Sequence, residues 1–485
     1  MGDSMSSHEW TAGGAGAERV GAPAAVTLPG HGPTRRVMAQ EDDCPRVPTS
    51  FEDLGVGAKF FEQLVLKTLF TRGGSTGDQL SMYLRVPFWL LDDLLLNFQR
   101  QQLVHTPSSV GMGRKGYTYE LTTDGRHRAR DILETDPYVG ATPVPLESYS
   151  YWVERQSVRG SHIGPDEVRE GFSHLVLDDR TIDLLGPAIN SARSVFLWGD
   201  AGNGKTTISE AVVNIYGDFI YIPLAVYADG QVIQLYDPVI HEGVDMQARV
   251  STKDDALVAP PPDYDRRWVR IKRPMVLVGG ELTLDQLELK FDINRGAFQA
   301  PPHMKANGGV FVIDDFGRQQ VPARDLLNRW MVPLDRGVDY LTFTSGRRAT
   351  IPFACVVIFA TNLDPDDLVE EAFLRRIRYK IEIGSPEREQ LAEIFKRQCE
   401  RRGIEYRPEA VDWLYSHYYD RLGIEPRSCH PVDIIADLQD LAAYLSRKPE
   451  LTKEMLGQAC DSYFMGLVQK GGKTISVYGN NQAGN

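Results

Sequence analysis

A glycine-rich stretch near the middle of the chain has the composition and spacing of a phosphate-binding loop. It matches the pattern GxxxxGK followed by Ser or Thr, comes after the apolar run SVFLW and precedes the helical pattern TISEAVVNIYG. Glycines let backbone N–H groups curl around a phosphate, and a helix N-terminus adds partial positive charge. We expect Lys205 to contact the β- and γ-phosphates of a nucleotide and Thr206 to offer its hydroxyl to Mg²⁺. The predicted ATP-binding residues of this loop are Gly199, Asp200, Ala201, Gly202, Asn203, Gly204, Lys205, Thr206 and Thr207.

Two adjacent carboxylates follow an apolar run further along the chain, in the sequence GGVFVIDD. An acidic residue at the tip of a neighbouring buried strand completes a nucleotide site, so we expect Asp314 to share the Mg²⁺ ion with Thr206. Asp315 would orient and polarise the attacking water. Because an apolar run ending in two aspartates is also a common strand end, this assignment depends on the loop that precedes it.

Several apolar runs alternate with helical segments between about residue 165 and residue 385, which is the pattern of a parallel sheet with helical crossovers. The sequence therefore predicts an α/β core followed by a helical region from Ser385 onward. The predicted strands are 195–199, 219–224, 275–280, 310–315 and 356–361.

With the loop and the acidic pair in place, the chain resembles the AAA+ ATPases over roughly residues 165–465. The resemblance implies that Asn362, at the end of VVIFATN, is the polar residue called sensor-one, which helps to position the attacking water. From its position alone, Asn362 could also end the strand or cap the next helix. Asp315 departs from the family, which usually has Glu there, and this puts the hydrolysis rate in question more than ATP binding.

The resemblance also implies arginines that act on the phosphates. In EAFLRRI, Arg375 or Arg376 looks like the arginine finger, which reaches the site of a neighbouring subunit and so implies a ring, expected to be a hexamer. Arg427, in PRSCHP, resembles sensor-two, folded back from the lid onto the phosphates. The plainer alternative for Arg375 or Arg376 is a helix cap or an ion pair with Glu370 or Glu371. For Arg427 it is a solvated helix start.

The stretch VDYLTFTSGRRATI alternates around Ser-Gly, which predicts a β-hairpin directly before the strand of Asn362. Such an insertion resembles that of the pre-sensor hairpin clade of AAA+ proteins. That clade contains MoxR-like chaperones, magnesium chelatase subunits and replicative helicases. The resemblance does not indicate which protein such an ATPase would act on.

Residues 51–136 show three helical patterns and then two β-like runs, which is the order of a winged helix-turn-helix. The segment carries 10 Lys and Arg against 11 Asp and Glu, whereas a DNA-binding module usually has a basic face. Asp92 and Asp93 stand in the candidate recognition helix, and Arg114 and Lys115 are the cations of the wing. We favour a protein-docking module and keep DNA binding open.

Composition and residue patterns predict the fold class and divide the chain into six segments. We predict an α/β protein: a P-loop AAA+ nucleotide core with a parallel sheet, a C-terminal helical lid and an N-terminal winged helix-turn-helix. The segments are a disordered leader 1–50, the winged helix 51–136, a linker 137–164, the core 165–384, the lid 385–470 and a flexible tail 471–485.

The whole-chain composition limits the partners. A formal charge of −13 over 485 residues argues against wholesale binding of nucleic acid or anionic lipid. Five cysteines without metal-ligand spacing favour a reducing compartment, and no apolar stretch is long enough to span a membrane, so we expect a cytoplasmic protein. The densest cations could face a pore or a partner, although a solvated strand face is the preferred interpretation; they are Arg266, Arg267, Arg270, Lys272 and Arg273.

These observations predict a Mg²⁺-dependent ATPase of the AAA+ type that remodels a protein client as a homo-oligomeric ring. The alternative is a nucleotide-switched DNA-binding regulator that acts through its winged helix. A helicase or other translocase is a third possibility, and it requires stimulation by nucleic acid.

Overall fold

The computed structural model describes residues 44–109, 113–159, 162–217, 219–244, 263–368 and 375–468. The predicted leader, apart from its last residues, and the predicted tail lie outside these ranges. The helices are α1 Ala58–Arg72, α2 Gly77–Leu84, α3 Phe88–Arg100, α4 Thr123–Thr135, α5 Leu146–Arg155, α6 Pro165–Phe172, α7 Asp179–Ser191, α8 Lys205–Tyr216, α9 Pro302–Lys305, α10 Ala323–Arg336, α11 Pro365–Leu368, α12 Arg388–Arg401, α13 Pro408–Leu414, α14 His430–Tyr444 and α15 Lys453–Val468. Within the described part of the chain, no helix combines the length and the apolar character that crossing a membrane requires.

The strands form a central parallel sheet and several smaller sheets. They are β1 Ser75–Thr76, β2 Val104–Ser109, β3 Tyr117–Leu121, β4 Val144–Pro145, β5 Val195–Trp198, β6 Phe219–Pro223, β7 Ala225–Ala228, β8 Gln231–Gln234, β9 Trp268–Lys272, β10 Met275–Val278, β11 Lys290–Asp292, β12 Ala297–Gln299, β13 Val310–Ile313, β14 Val338–Thr342, β15 Arg348–Pro352, β16 Val356–Thr361 and β17 Tyr379–Glu382.

The central sheet has the order β10-β13-β16-β5-β17, and every neighbouring pair in it is parallel. Every residue of β13 and β16 is buried, which explains why these strands read as continuous apolar runs. Strand β5 comes first along the chain but lies between β16 and β17, so the strand order reverses there. Ligands of open α/β sheets bind at the carboxyl ends of the strands beside such a reversal.

The prediction that 219–224 belongs to the parallel sheet is wrong. Strand β6 pairs antiparallel with β9 in a separate two-stranded ribbon. Its burial alternates from Phe219 to Ile222, as in a strand with one covered face. The fifth strand of the parallel sheet is β17, whose alternating charged residues Lys380 and Glu382 conceal it in the sequence.

The cation cluster around β9 is bonded within the chain. Arg267 is only 4% exposed, pairs with Asp265 at 2.8 Å and donates from Nη1 to the carbonyl oxygen of Leu54 at 2.7 Å. Arg270 stacks over the ring of Phe219, and Arg273 donates to backbone oxygens of other segments. The preferred interpretation of a solvated strand face is therefore wrong for Arg267, which ties the N-terminal region to β9.

In residues 51–136, α1, α2 and α3 pack around one apolar cluster beside a small antiparallel sheet of order β1-β3-β2. Arg114, between β2 and β3, pairs with Asp92 of α3 at 2.6 Å. The following segment, predicted as a linker, is packed: Tyr138 and Tyr149 are buried, and β4 pairs with β7.

At the other end of the chain, α12 to α15 share an apolar cluster of their own, which includes Phe395, Leu414, Leu438 and Phe464. The predicted hairpin is present as the antiparallel pair β14 and β15, directly before β16. The protein is therefore a mixed α/β chain with a five-stranded parallel sheet and C-terminal helices.

Candidate functional site

The glycine-rich loop joins the end of β5 to the start of α8. Gly199 and Gly202 have φ angles of 133° and 92°, which L side chains rarely adopt. A Cβ atom on Gly199 would lie 2.3 Å from the carbonyl oxygen of Ile383, and one on Gly202 would lie 2.6 Å from Sγ of Cys429. Both positions require glycine, because the loop is pressed between β17 and the start of α14.

Lys205 begins α8 and points back into the loop. Its Nζ donates to the carbonyl oxygens of Gly199 at 2.8 Å and Asp200 at 2.9 Å. Burial lowers the pKa of Lys205, and the nearby Asp314 carboxylate opposes that effect. The ammonium group is therefore held inside the loop, where a phosphate-binding loop needs its cation.

Thr206 and Asp314 come from different elements and meet at the carboxyl edge of the sheet. The Thr206 hydroxyl donates to Oδ2 of Asp314 at 2.8 Å. Hydroxyl and carboxylate oxygens are the ligands that Mg²⁺ takes together with substrate phosphates and water. Among the described residues, no group of three or more His, Cys, Asp or Glu could hold a metal ion by itself. This donor set suits an ion that arrives with a nucleotide.

Asp315 follows Asp314 in a tight turn. Its φ of 48° is in the left-handed region, and its carboxylate is exposed. Gln319, only 9% exposed, supports the turn by donating from Nε2 to the carbonyl oxygens of Asp314 at 3.1 Å and Asp315 at 3.2 Å. The backbone therefore presents Asp315 to the space beside the loop.

Asn362 follows β16 and lies at the same edge of the sheet. Its Oδ1 accepts a hydrogen bond from Nε of Arg318 at 3.1 Å. Sequence reasoning missed Arg318, because nothing in its local pattern distinguishes it from a solvated loop arginine. Arg318 lies close to Asn362 only because β13 and β16 are neighbours in the sheet and end at the same edge.

A cavity of about 480 Å³ connects these residues. This volume is in the range of sites for small ligands. On one side lie the loop, Asp314, Asp315 and Asn362, and on the other lie parts of α12 and α14. No sequence motif marks the remaining apolar and polar lining, which includes His174, Leu175, Val176, Leu177, Ile394, Gln398 and Val432.

The segment before α14 closes the cavity at the loop. The backbone N–H of Cys429 donates to the carbonyl oxygen of Gly202 at 2.9 Å. The side chain of Arg427 comes beside Gly202, with its Cδ 3.6 Å from the position of a Cβ there, and its positive charge contributes to the lowered pKa of Lys205. Arg427 therefore lies near the loop, in the segment that precedes α14.

Arg375 and Arg376 are not among the described residues that line this cavity. Nε of Arg376 lies 3.0 Å from Oδ2 of Asp335, at the end of α10. The alternative partners Glu370 and Glu371 lie outside the described residues. The structure thus brings the loop, the two aspartates and Asn362 together, and leaves both arginines outside that group.

Comparison with known proteins gives two results. A family model described as a domain of unknown function (DUF8689) matches residues 387–462, which span α12, α13 and α14 and most of α15. A comparison with curated protein sequences gives no match.

Among solved structures, this chain is similar to a mutant of Thermotoga maritima RuvB, with a TM-score of 0.34, 13% identity, and coverage of 63% of this chain and 73% of that chain. It is also similar to the Thermotoga maritima RuvB Holliday junction branch migration motor, with a TM-score of 0.30, 14% identity, and coverage of 63% and 72%. Scores this low carry no argument about function, so the assignment below rests on the residues of this chain.

Proposed function

We propose that this chain binds and hydrolyses ATP in a Mg²⁺-dependent reaction, as an AAA+ ATPase. The hydrogen bond between Thr206 and Asp314 carries the proposal, because it joins the first residues of α8 to the end of β13 where a nucleotide-bound Mg²⁺ would sit. When bound, that ion would neutralise charge on the phosphates. Free cysteines throughout the chain support a cytoplasmic location as part of the same proposal.

The chain's own groups divide the remaining tasks. Lys205 holds its ammonium against the loop carbonyls and can turn it to a phosphate oxygen. Asp315 accepts hydrogen bonds from the attacking water and orients it, while Asn362 offers its amide beside it. Asp315 is one methylene shorter than the glutamate usual in the family, so its reach to the water depends on the backbone turn that Gln319 supports.

The proposal includes a ring, expected to be a hexamer, in which Arg375 or Arg376 completes the site of the neighbouring subunit. Both arginines lie outside the cavity of their own chain, as a residue that acts in trans must. Hairpin β14–β15 stands directly before β16, which supports the pre-sensor hairpin clade as the subgroup.

We also propose that residues 51–136 form a winged helix that docks a protein client. The support comes from α3, where Trp89 is 54% exposed and Asp93 follows it by one helical turn. Arg114, a wing cation, is paired with Asp92 at 2.6 Å. An acidic and aromatic helix face suits a cationic or apolar protein surface and repels a phosphate backbone. The alternative, a DNA-binding regulator, needs free cations on the wing, and the charge of Arg114 is already paired with Asp92.

The proposal is tested by measuring ATP binding and phosphate release on the same preparation of the full-length chain. A fluorescent ATP analogue should bind and be displaced by ATP, and phosphate release should require Mg²⁺ and stop with EDTA. ATP binding without phosphate release would mean that the chain is a nucleotide-binding switch and not an ATPase. Absence of binding would overturn the proposal.

A further inference from the structure

The guanidinium group of Arg318 forms a hydrogen bond that determines which way the Asn362 amide faces. Nε of Arg318 donates to Oδ1 of Asn362 at 3.1 Å. A primary amide has an oxygen that only accepts and an NH₂ group that only donates, and the two point in different directions from the same planar carbon. Because the oxygen is engaged by Arg318, the NH₂ group faces the other way.

The direction of that NH₂ group matters because Asn362 lines the cavity together with Thr206, Asp314 and Asp315. A phosphate oxygen accepts hydrogen bonds, so it pairs with the NH₂ group and repels the amide oxygen. Without Arg318, the two orientations of the amide differ only by a flip about one bond. The arginine therefore selects the orientation in which the oxygen of Asn362 faces the guanidinium and the NH₂ group points away from it.

Arg318 is held by the same turn that presents Asp315. Its backbone N–H donates to the carbonyl oxygen of Asp315 at 2.9 Å. The buried amide of Gln319 donates from Nε2 to the carbonyl oxygens of Asp314 and Asp315, and its Oε1 accepts from the N–H of Gly317 at 2.8 Å. These hydrogen bonds hold the backbone of Asp315 and Arg318 in one turn, so the two side chains keep a fixed position relative to each other.

We propose that Arg318 is a positioning residue for ATP hydrolysis, which acts through Asn362 by turning its NH₂ group toward the γ-phosphate and the attacking water. This inference rests on the proposed ATPase function. It goes beyond that function because it assigns Arg318 to its own subunit's site, in contrast to an arginine supplied by a neighbour. Arg318 is not a lining residue of the described cavity, so the role assigned to it is exerted through Asn362.

The test is a double-mutant cycle on the full-length chain, with Arg318→Met, Asn362→Ala and the combination of both. Arg318→Met keeps an unbranched apolar stem, although a shorter one, and removes the charge and the donors. We expect kcat for ATP hydrolysis to fall by about tenfold to a hundredfold, since misplacing a group in the site costs that much, while KM and ATP-analogue binding stay unchanged. The combined variant should be no slower than Asn362→Ala alone.

Two controls separate positioning from a structural role. Arg318→Lys keeps a cation and a donor and should recover most of the rate, and Arg126→Met, on the exposed side of α4, should hydrolyse like the wild type. Additive effects of Arg318→Met and Asn362→Ala, or a loss of binding without a loss of kcat, would overturn the inference.

Failure of the inference is distinguishable from failure of the proposed function. A wild-type chain that releases no phosphate would overturn both. An active wild-type chain with an equally active Arg318→Met variant would overturn the role of Arg318 alone.

Discussion

The hydroxyl of Thr206 donates to Oδ2 of Asp314 at 2.8 Å, although the two residues are 108 positions apart. Thr206 belongs to the first turn of α8 and Asp314 follows β13 directly. The contact exists because β5 and β13 run parallel on either side of β16, so their carboxyl ends meet at one edge of the sheet. It joins the two sequence motifs into one site.

Replacing Thr206 should separate the need for a hydroxyl from the need for volume. Thr206→Val keeps the shape, removes the donor to Asp314 and removes one oxygen of the Mg²⁺ site. We expect the rate of phosphate release to fall by about tenfold or more, because the Asp314 carboxylate loses its hydrogen bond and a charged group without its partner costs at least that much free energy. Thr206→Ser keeps the hydroxyl and should stay near the wild-type rate. Titrating Mg²⁺ against phosphate release for both variants checks this, and a Thr206→Val variant with wild-type Mg²⁺ dependence would contradict it.

Mixing two inactive variants tests whether the finger acts in trans. Lys205→Ala disables a subunit's own site, and Arg375→Ala combined with Arg376→Ala removes only what that subunit gives its neighbour. Each preparation alone should show background phosphate release. An equal mixture should recover about a quarter of the wild-type rate, because half of the subunits keep an intact site and half of those have a neighbour with a finger.

The matched control for that mixture is Arg378→Ala, which removes a nearby arginine whose guanidinium packs on the ring of Tyr379. It should stay active without mixing. The pair between Arg376 and Asp335 is half-exposed, so its loss should leave the fold intact. A mixture that remains at background beside an active wild type would show that neither arginine acts across subunits.

The C-terminal helices should lose stability in mild acid because of His430. Its Nδ1 lies 3.0 Å from the Tyr419 hydroxyl oxygen and accepts the backbone N–H of Arg427 at 3.3 Å. Burial, assisted by the charge of Arg427, lowers the pKa of His430 to about 4. An unfolded histidine binds a proton below about pH 6.5, so the unfolded state gains protons first and stability falls as the pH drops from there toward the folded pKa.

At about pH 5 this histidine alone should cost about 2 kcal/mol of unfolding free energy relative to about pH 7. His430→Asn keeps an acceptor for the Arg427 N–H and removes the titration, so it should flatten that part of the pH profile. Urea unfolding of both chains at the two pH values measures the difference. Equal pH slopes for the wild type and His430→Asn would exclude His430 as the cause.

The ion pair of Arg114 with Asp92 predicts weak interaction with DNA. In about 50 mM salt, where phosphate contacts are strong, fluorescence anisotropy of a labelled duplex should not rise on adding the full-length chain. An increase that disappears in about 200 mM salt, and that Arg114→Ala combined with Lys115→Ala also removes, would favour the DNA-binding regulator. Trp89→Ala should leave phosphate release unchanged in either case, because Trp89 is not among the residues that line the cavity.

Local motifs made the loop and the acidic strand end predictable from the sequence. The strand, the glycine spacing and the helix start around Lys205 are contiguous, and Asp314 follows a run that is apolar because β13 is buried on both faces. The hairpin β14–β15 was predictable for the same reason, since its turn and alternation lie within one short segment.

Contacts between distant segments were not predictable. The role of Arg318 depends on its hydrogen bond to Asn362, which follows the neighbouring strand β16 and is distant in the sequence. Strand β17 has no recognisable apolar pattern, because half of its residues are charged and exposed at the sheet edge. Strand β6 was assigned to the wrong sheet because its composition suits either kind of pairing, and only its partner β9 decides between them.

The most direct test of the account is steady-state phosphate release from ATP with Mg²⁺, measured on the wild-type chain and on Lys205→Ala at equal concentration. Circular dichroism of both chains should establish that the variant is folded. The wild type should turn over many ATP molecules per chain, and Lys205→Ala should release phosphate no faster than buffer, because the loop has lost its cation. Equal rates for the two chains, or no release by the wild type, would contradict the account.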